Sequence, residues 1–314
     1  MVKIETPTIL FLSDISDGSW PSALVEAFPA FQVATRLEDA DPATTMAALV
    51  WKHPWGSLRT YSNLRVIINL GAGVDHIVGD PDLPPGVPIA RLVDPGLTAR
   101  MSEYVLMHCL SLHRGLPELR TAQSERRWNF VAPKPPSTAC VGILGFGRLG
   151  RACADQLSRI GFGVIGWKRV PGEVGKFEVF HGPDGLSPFF SRADIVVALL
   201  PSTAATRNLL DTKLFDCMRP GSALINVGRG DLLVEEDLLT ALDNGRIRHA
   251  VLDVFRTEPL PVDHRFWNHP RITISPHNSS ATDPATALQQ VIVNVRRALA
   301  NESLLNWVDP EAGY

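Results

Sequence analysis

Short apolar runs rich in Val, Ile and Leu alternate with amphipathic stretches along most of the chain. Such a run predicts a buried strand, and an amphipathic stretch between two runs predicts a helix that covers the sheet. Strands alternating with helices are typical of a parallel sheet, so the pattern predicts an α/β fold. The predicted strands are 8–12, 31–34, 49–51, 65–70, 140–144, 163–167, 194–200, 222–227, 249–254 and 272–275. The predicted helices are 21–28, 42–48, 98–112, 148–160, 211–218, 235–244 and 284–300.

The order of these elements predicts two doubly wound parallel-sheet domains. Residues 98–280 hold one continuous series of strands and helices, and residues 1–97 form another open α/β series. We expect the last predicted helix to return to the first series. The second domain, 98–280, would then be inserted in a first domain made of 1–97 and 281–314.

A glycine turn of the pattern GxGxxG joins predicted strand 140–144 to predicted helix 148–160. Gly145 allows a tight turn, Gly147 lets the backbone approach a bound group, and Gly150 lets the helix pack on the strand. The first N–H groups of that helix lack partners inside it and carry partial positive charge, so a pyrophosphate fits there. A glycine-rich turn without a ligand is the alternative. The strand–turn–helix–strand context favours dinucleotide binding.

A second glycine turn, Gly71-Ala72-Gly73-Val74-Asp75, follows predicted strand 65–70. Ligands of parallel sheets bind at the carboxyl ends of the strands. The main-chain N–H groups of this turn could therefore hold a small carboxylate. An ordinary strand-to-helix turn is the alternative, and this stretch alone favours it.

Three polar residues, Arg229, Glu258 and His277, each follow a predicted strand of 98–280. In a parallel sheet all three would lie at the carboxyl edge, together with Gly145. Arginine offers a planar fork to a carboxylate, histidine carries a proton near neutral pH, and a nearby glutamate favours the imidazolium. Reduction of a keto acid by hydride needs this set. Taken singly, each could be an ordinary turn or loop residue.

Composition limits the other classes of partner. The apolar content of 45% supports a sizeable core, and the net charge of −3 without long like-charge runs predicts no nucleic-acid partner. The four cysteines are far apart and form no CxxC, so we expect buried thiols in a reducing cytoplasm and no metal site. No apolar run is long enough for a signal-peptide core or a membrane span.

The tip of predicted strand 163–167 bears on the choice of nicotinamide cofactor. An NAD-preferring site carries Asp or Glu about 20 residues after the glycine turn, for the ribose hydroxyls. Here Lys168 and Arg169 follow Trp167, and no acidic residue comes before Glu173. Two cations suit a 2′-phosphate, although a solvated Lys-Arg pair is the alternative. We expect NADP(H) to be preferred, with NAD(H) possible.

The ordered motifs resemble those of the D-isomer-specific 2-hydroxyacid dehydrogenases. They are GxGxxG, Asn226-Val227-Gly228-Arg229-Gly230, Leu252-Asp253-Val254-Phe255 with Glu258-Pro259, and Ser275-Pro276-His277. Within that family the chain is most similar to the glyoxylate/hydroxypyruvate reductase A group. The positions that support this are Trp51, Gly71-Ala72-Gly73-Val74-Asp75, Trp128, Trp167, Leu260-Pro261 and Gly313-Tyr314.

The resemblance implies a role for each of these positions. Arg229 would bind the substrate, His277 would donate the proton, and Glu258 would pair with His277. The backbone of Ala72, Gly73 and Val74 would hold the substrate carboxylate, and Trp51 would border it. The implied cofactor-binding positions are Gly145, Phe146, Gly147, Arg148, Leu149, Trp167, Lys168, Arg169, Leu200, Pro201, Val227, Gly228, Asp253 and His277.

The resemblance also implies a Rossmann cofactor domain inserted in a flavodoxin-like substrate domain, a homodimer, and an active site in the cleft between domains. Three positions depart from the family pattern. Gly228 stands where many relatives have Ala, Asn278 follows the histidine where an apolar residue is commoner, and Lys168 replaces a small hydroxyl residue.

The sequence therefore predicts NAD(P)H-dependent reduction of a small 2-keto acid, of the glyoxylate or hydroxypyruvate class, to the D-2-hydroxy acid. A dehydrogenase of another small anion, such as formate or phosphite, is one alternative. Glu258 speaks against formate, because formate enzymes resemble a Gln version of this pair. A cofactor-sensing regulator without turnover is the other alternative. Such a regulator would not need Arg229, Glu258 and His277 together.

Overall fold

Two parallel sheets form the structure, a computed structural model that describes residues 6–13, 18–172 and 174–309. Glu173 and the chain end Gly313-Tyr314, named above, lie outside these ranges. The chain divides into two units, Met1–Leu97 with Ala281–Tyr314, and Thr98–Ser280. It passes from the first unit to the second within helix α3 (Pro95–His113).

The first unit contains a five-stranded sheet of order β2-β1-β3-β4-β5 in which all neighbours are parallel. This is the strand order of flavodoxin-like folds. The strands are β1 (Thr8–Ser13), β2 (Gln32–Ala34), β3 (Thr45–Trp51), β4 (Val66–Asn69) and β5 (Ile89–Arg91). The helices are α1 (Ser19–Ala27), α2 (Asp75–Val78) and α9 (Pro284–Leu299).

The helix predicted over 42–48 is wrong, because the chain enters strand β3 at Thr45. Asp41 makes a turn instead, in which its carbonyl accepts the N–H groups of Thr44 and Thr45. The following apolar run is buried and pairs with β1 and β4 on its two sides. Short apolar runs do not distinguish a strand from a buried helix, and here the tertiary pairing decides.

The second unit contains a seven-stranded sheet of order β12-β11-β10-β9-β6-β7-β8, again parallel throughout. Its order reverses between β6 and β9, as in Rossmann folds. The strands are β6 (Cys140–Leu144), β7 (Gly163–Lys168), β8 (Glu178–His181), β9 (Ile195–Ala198), β10 (Ser222–Asn226), β11 (Ile247–Leu252) and β12 (Ile272–Ile274). The helices after α3 are α4 (Leu116–Ser124), α5 (Arg148–Ile160), α6 (Leu186–Arg192), α7 (Thr212–Cys217) and α8 (Glu235–Asp243).

The predicted α/β class with two doubly wound parallel sheets is confirmed. The pattern predicts no strand at β8, which is a short edge strand begun by an exposed glutamate. Separate apolar clusters cover the two faces of the larger sheet. No helix within the described ranges is both long and apolar enough to cross a bilayer.

A buried histidine in this sheet makes stability depend on pH. His249 on β11 is 4% exposed, and its Nε2 atom lies 2.9 Å from the Thr273 hydroxyl. Burial lowers the pKa of His249 to about 4. Between pH 6.5, near the ordinary pKa of histidine, and about pH 4, the unfolded chain therefore binds more protons at His249 than the native chain does. The stability that His249 contributes is complete above pH 6.5 and is lost as the pH falls through that window.

We expect the free energy of unfolding to fall by about 2 kcal/mol between pH 7.5 and pH 5 through His249 alone. His249→Gln should remove that part of the loss. Urea unfolding at the two pH values and one protein concentration measures the difference. Equal pH dependence in wild type and His249→Gln would contradict the assignment.

Candidate active site

The glycine turn after β6 has the shape that a dinucleotide-binding turn requires. Gly145 has φ +113°, and a Cβ atom there would lie 2.9 Å from the main chain of Leu199. A Cβ atom on Gly150 would lie 2.3 Å from the Gly145 carbonyl oxygen, whereas open space surrounds the Cβ position of Gly147. Helix α5 begins at Arg148, which is exposed, and Leu149 is half-buried. The open side of the turn thus presents the orphan N–H groups of a helix, which suit an anion.

Strand β7 holds this turn from one side. The N–H groups of Gly145 and Phe146 both donate to the Trp167 carbonyl, at 3.0 and 2.8 Å. The Phe146 ring and the Trp167 indole are buried, and the indole N–H donates to the Gly182 carbonyl at 2.9 Å. Contacts of these two residues with a cofactor would therefore be made by main-chain atoms. Lys168 ends β7 half-buried, and the exposed Arg169 follows it.

Two further glycines allow the turn after β10 to contact the turns that follow the neighbouring strands β9 and β11. A Cβ atom on Gly228 would lie 2.7 Å from the Leu200 carbonyl oxygen, and one on Gly230 would lie 1.9 Å from the Phe255 carbonyl carbon. Leu200 and Val227 are buried here, and Pro201 is half-buried. Neither glycine position has room for a side chain, so the departure from Ala at 228 fits this packing.

Arg229 lies between these two glycines in an extended conformation. The Asn226 side chain fixes the turn, because it accepts the Gly228 N–H at 3.2 Å and donates to the Arg229 carbonyl at 3.0 Å. The Arg229 guanidinium is half-buried, and its Nη1 atom donates to the Gly228 carbonyl at 2.8 Å. Arg229 is thus held at the carboxyl edge, beside the segment that leads to Glu258.

Glu258 and His277 form a hydrogen-bonded pair. The Nδ1 atom of His277 lies 2.8 Å from Oε2 of Glu258, and the two side chains are 20% and 18% exposed. The other carboxylate oxygen, Oε1, accepts the Phe255 N–H at 2.9 Å. When Nδ1 donates to Glu258, the ring keeps Nε2 for other chemistry. The pair is the arrangement expected of a proton donor and its orienting carboxylate.

Asp253 holds the segment that carries His277. His277 has φ +53°, and its N–H donates to the Asp253 carbonyl at 2.8 Å. The fully buried Asp253 carboxylate accepts the Ser275 hydroxyl at 2.6 Å and the N–H groups of Asn278 and Ser279 at 2.9 and 3.0 Å. The Asn278 side chain is exposed, so its departure from the family pattern leaves these bonds in place. The cofactor contact expected of Asp253 stays a prediction.

Helix α3 adds a support that the sequence did not reveal. The Tyr104 hydroxyl is hydrogen-bonded to the Ser275 hydroxyl, which in turn donates to Asp253. Burial raises the pKa of Tyr104 to about 12, so the phenol stays protonated and can donate. Tyr104 lies far from Ser275 in sequence and falls within an apolar helix pattern. Nothing in its spacing marks it as a hydrogen-bond partner.

In the second glycine turn, which lies in the first unit, two main-chain carbonyls accept hydrogen bonds from one side chain. The buried Asn69 side chain donates to the carbonyls of Gly71 and Gly73 at 2.7 and 3.0 Å. Within the described ranges the N–H groups of residues 71–74 donate no hydrogen bond. The Trp51 ring lies against this turn, because a Cβ atom on Gly71 would lie 2.1 Å from it. Successive unengaged N–H groups can hold an anion.

The structure thus joins two of the predicted catalytic residues directly, Glu258 and His277. It places Arg229 on a turn that packs against Phe255, whose N–H binds Glu258. Trp51 and the turn of Ala72, Gly73 and Val74 lie in the first unit.

The comparisons with known proteins point to one family. A family model described as "D-isomer specific 2-hydroxyacid dehydrogenase, NAD binding domain" matches residues 106–279. A glyoxylate/hydroxypyruvate reductase A from Photorhabdus laumondii is 42% identical over 85% of this chain and 87% of its own length.

Two solved structures are similar over nearly their whole length. A D-isomer specific 2-hydroxyacid dehydrogenase from Xanthobacter autotrophicus, in complex with NADPH and MES, has a TM-score of 0.92 and 40% identity, covering 99% of this chain and 100% of its own. An NADPH-dependent glyoxylate/hydroxypyruvate reductase from Sinorhizobium meliloti, in complex with NADP and sulfate, has a TM-score of 0.89 and 34% identity, covering 98% of this chain and 100% of its own.

The glycine turn, the His–Glu pair and these matches together lead to one conclusion. The chain belongs to the D-isomer-specific 2-hydroxyacid dehydrogenase family.

Proposed function

We propose that this protein is an NADPH-preferring reductase that converts a small 2-keto acid, of the glyoxylate or hydroxypyruvate class, to the D-2-hydroxy acid. The observation that carries the proposal is the 2.8 Å hydrogen bond between His277 and Glu258. It lies at the carboxyl edge of the sheet whose first turn is GxGxxG. The relatives named glyoxylate/hydroxypyruvate reductase A support the substrate class.

The substrate carboxylate needs donors in fixed positions. Arg229 supplies a guanidinium fork at the carboxyl edge of the second unit, which can hold a carboxylate or keto acid. In the first unit, the N–H groups of Ala72, Gly73 and Val74 are available because Asn69 holds the carbonyls of this turn. Trp51 lies against the same turn and would border the substrate.

Reduction of the carbonyl requires a proton on its oxygen. The Nε2–H of a charged His277 would give that proton, while Glu258 holds Nδ1 and balances the charge. The Phe255 N–H fixes the other oxygen of Glu258, so the ring direction is set by the main chain. A bound nicotinamide supplies the hydride for the carbonyl carbon.

The residues present fit a nicotinamide dinucleotide. The start of α5, with Gly147, Arg148 and Leu149, would hold the pyrophosphate. Lys168 and Arg169 at the tip of β7 would meet the adenosine ribose, and their charges suit a 2′-phosphate. The similar structures in complex with NADPH or NADP support this choice. The turns that contain Leu200, Pro201, Val227 and Gly228 would complete the cofactor site at this edge of the sheet.

We also propose a homodimer that forms through the segment after α4. Trp128 is completely exposed there, Phe130 is 81% exposed and Val131 is 45% exposed. Buried aromatic residues anchor protein interfaces, and a continuous exposed apolar segment marks such a surface. The occupant that we assign to it is a second copy of the chain.

A cytoplasmic location completes the proposal. Cys109, Cys140, Cys153 and Cys217 form no disulfide in the structure. Thiols that form no disulfide fit a reducing compartment.

The first test concerns the proton donor. His277→Gln should lower kcat by about 10²–10⁴-fold and leave the Kd for NADPH nearly unchanged, because only the proton transfer is lost. Glu258→Gln keeps an oxygen that can accept the Phe255 N–H but loses the negative charge, so we expect kcat to fall less than in His277→Gln. Steady-state NADPH oxidation with glyoxylate gives kcat, and quenching of protein fluorescence gives the Kd.

The second unit offers a matched control for this test. His264 and Glu235 form another His–Glu pair, 3.3 Å apart and similarly half-buried. His264→Gln and Glu235→Gln should keep kcat near the wild-type value. If His277→Gln behaved like His264→Gln, the proton would have to come from elsewhere.

The second test concerns the cofactor. Arg169→Ala should raise the KM for NADPH by about 10-fold or more and leave the KM for NADH almost unchanged, since only NADPH carries the 2′-phosphate. Arg159→Ala, at the exposed end of α5, is the control and should change neither value. Equal effects of Arg169→Ala on both cofactors would remove this assignment.

The third test concerns the dimer. Light scattering after size-exclusion chromatography should give a dimer for the wild type and a monomer for the double variant Trp128→Ser, Phe130→Ser, because the apolar anchor is lost. Val262→Ser is the control, since Val262 is 96% exposed outside this segment. A monomeric wild type, or a double variant that remains dimeric, would overturn the proposal.

A further inference from the structure

A chain of hydrogen bonds inside the second unit has a fixed direction from helix α3 to Asp253. The Tyr104 hydroxyl is bonded to the Ser275 hydroxyl, whose oxygen lies 2.6 Å from Oδ1 of Asp253. A carboxylate only accepts hydrogen bonds, so the single proton of the Ser275 hydroxyl goes to Asp253. Tyr104 must therefore be the donor to Ser275. Its raised pKa of about 12, caused by burial, keeps that proton on the phenol.

Asp253 holds His277 in a backbone conformation that residues with a side chain rarely adopt. His277 has φ +53°, in the left-handed region, and its N–H donates to the Asp253 carbonyl at 2.8 Å. The N–H groups of Asn278 and Ser279 donate to the Asp253 carboxylate at 2.9 and 3.0 Å. A strained conformation persists only where its surroundings fix it. Here Asp253 binds the chain before His277, at it and after it.

The conformation of His277 decides where its imidazole lies. Nδ1 of the ring is 2.8 Å from Oε2 of Glu258, and Oε1 of Glu258 accepts the Phe255 N–H at 2.9 Å. Glu258 is therefore fixed by the main chain on its own side. A rotation of the His277 backbone would lengthen the contact with Glu258 and displace the Nε2–H that the proposed reduction uses. A misplacement of about 1 Å at a reacting group can lower a rate by about 10²-fold.

Helix α3 fixes the other end of the chain of hydrogen bonds. Tyr104 is half-buried in the middle of α3, and its ring packs on His108, with 4.5 Å between the ring centroids. Met101 and Val105, on the same helix, are buried in the apolar cluster that covers one face of the larger sheet. A packed helix thus presents the phenol, and Ser275 receives a hydrogen bond from outside its own loop.

We propose that Tyr104 is a positioning residue for the reductase. Through Ser275 and Asp253 it keeps the backbone of His277 in the conformation from which the imidazole donates its proton. This inference rests on the proposed function, in which His277 is the proton donor. It adds to that function a residue that acts only through the residues that hold His277.

Tyr104→Phe tests the proposal, because it removes the hydroxyl and keeps the ring. We expect kcat to fall by about 10-fold, the effect of one lost hydrogen bond. The KM for glyoxylate and the Kd for NADPH should stay within about twofold of the wild-type values, because only the proton transfer is affected. Steady-state NADPH oxidation gives kcat and KM, and quenching of protein fluorescence gives the Kd.

Double variants separate positioning from a general structural effect. In a His277→Gln background there is no proton donor to position, so Tyr104→Phe should change kcat by less than about twofold. A merely structural loss would lower kcat by the same factor in both backgrounds. Ser275→Ala breaks the chain of hydrogen bonds in its middle, so Tyr104→Phe should again add less than about twofold to its effect.

Tyr61→Phe is the matched control. Tyr61 is a buried tyrosine of the first unit, and its hydroxyl donates to the Leu37 carbonyl at 3.3 Å. The variant loses a hydrogen bond of the same kind and should keep kcat near the wild-type value.

Two results would overturn the inference: an unchanged kcat in Tyr104→Phe, or an equal fall in kcat in the wild-type and His277→Gln backgrounds. A wild-type protein that reduces neither glyoxylate nor hydroxypyruvate with NADPH would instead overturn the proposed function, and this inference with it.

Discussion

The contact between neighbouring strand-end turns is the constraint on which the second unit depends. Gly228 and Gly230 let the turn after β10 approach the main chain of Leu200 on one side and of Phe255 on the other. Any side chain at Gly230 would separate these segments, because its Cβ atom would overlap the Phe255 carbonyl. The position of Arg229, and of the Phe255 N–H that binds Glu258, follows from this packing.

Buried polar side chains at strand ends form hydrogen bonds with the loops that carry the proposed site. Asn69 ends β4, Asn226 ends β10 and Asp253 follows β11, and all three are fully buried. Asn69 and Asn226 form hydrogen bonds with the main chain of the loop that follows each of them, whereas Asp253 bonds Ser275, Asn278 and Ser279 in the loop after β12. Burial of such groups is costly unless they are satisfied. The hydrogen bonds of Asn226 and Asp253 hold their loops in one conformation, whereas Oδ1 of Asn69 finds no partner among the described residues. In every case the loop carries a residue of the proposed site.

Much of this arrangement could be predicted from the sequence. The order of strands and helices predicted the α/β class, and the bounds of β6 and α5 match the predicted ones, because a long amphipathic helix after a glycine turn gives a strong local signal. The rule that parallel strands end at one edge placed Glu258 and His277 on the same side of the sheet, and their pairing was implied by the family resemblance.

The remaining features depend on contacts that local patterns do not encode. Strand β3 was mistaken for a helix in part, because its alanines gain their preference from pairing with β1 and β4. Tyr104 supports the His277 segment from a helix far away in sequence, and His53 meets Asp80 across a loop. Phe146 and Trp167 lie within or beside a cofactor motif, yet their side chains belong to the core.

The most direct test of the account is the absorbance of NADPH after mixing with the purified wild-type protein and glyoxylate or hydroxypyruvate. The account predicts loss of NADPH in step with formation of the hydroxy acid, with the D enantiomer as the product from hydroxypyruvate. Stable absorbance with both keto acids, in a protein that binds NADPH, would contradict the assignment as a reductase.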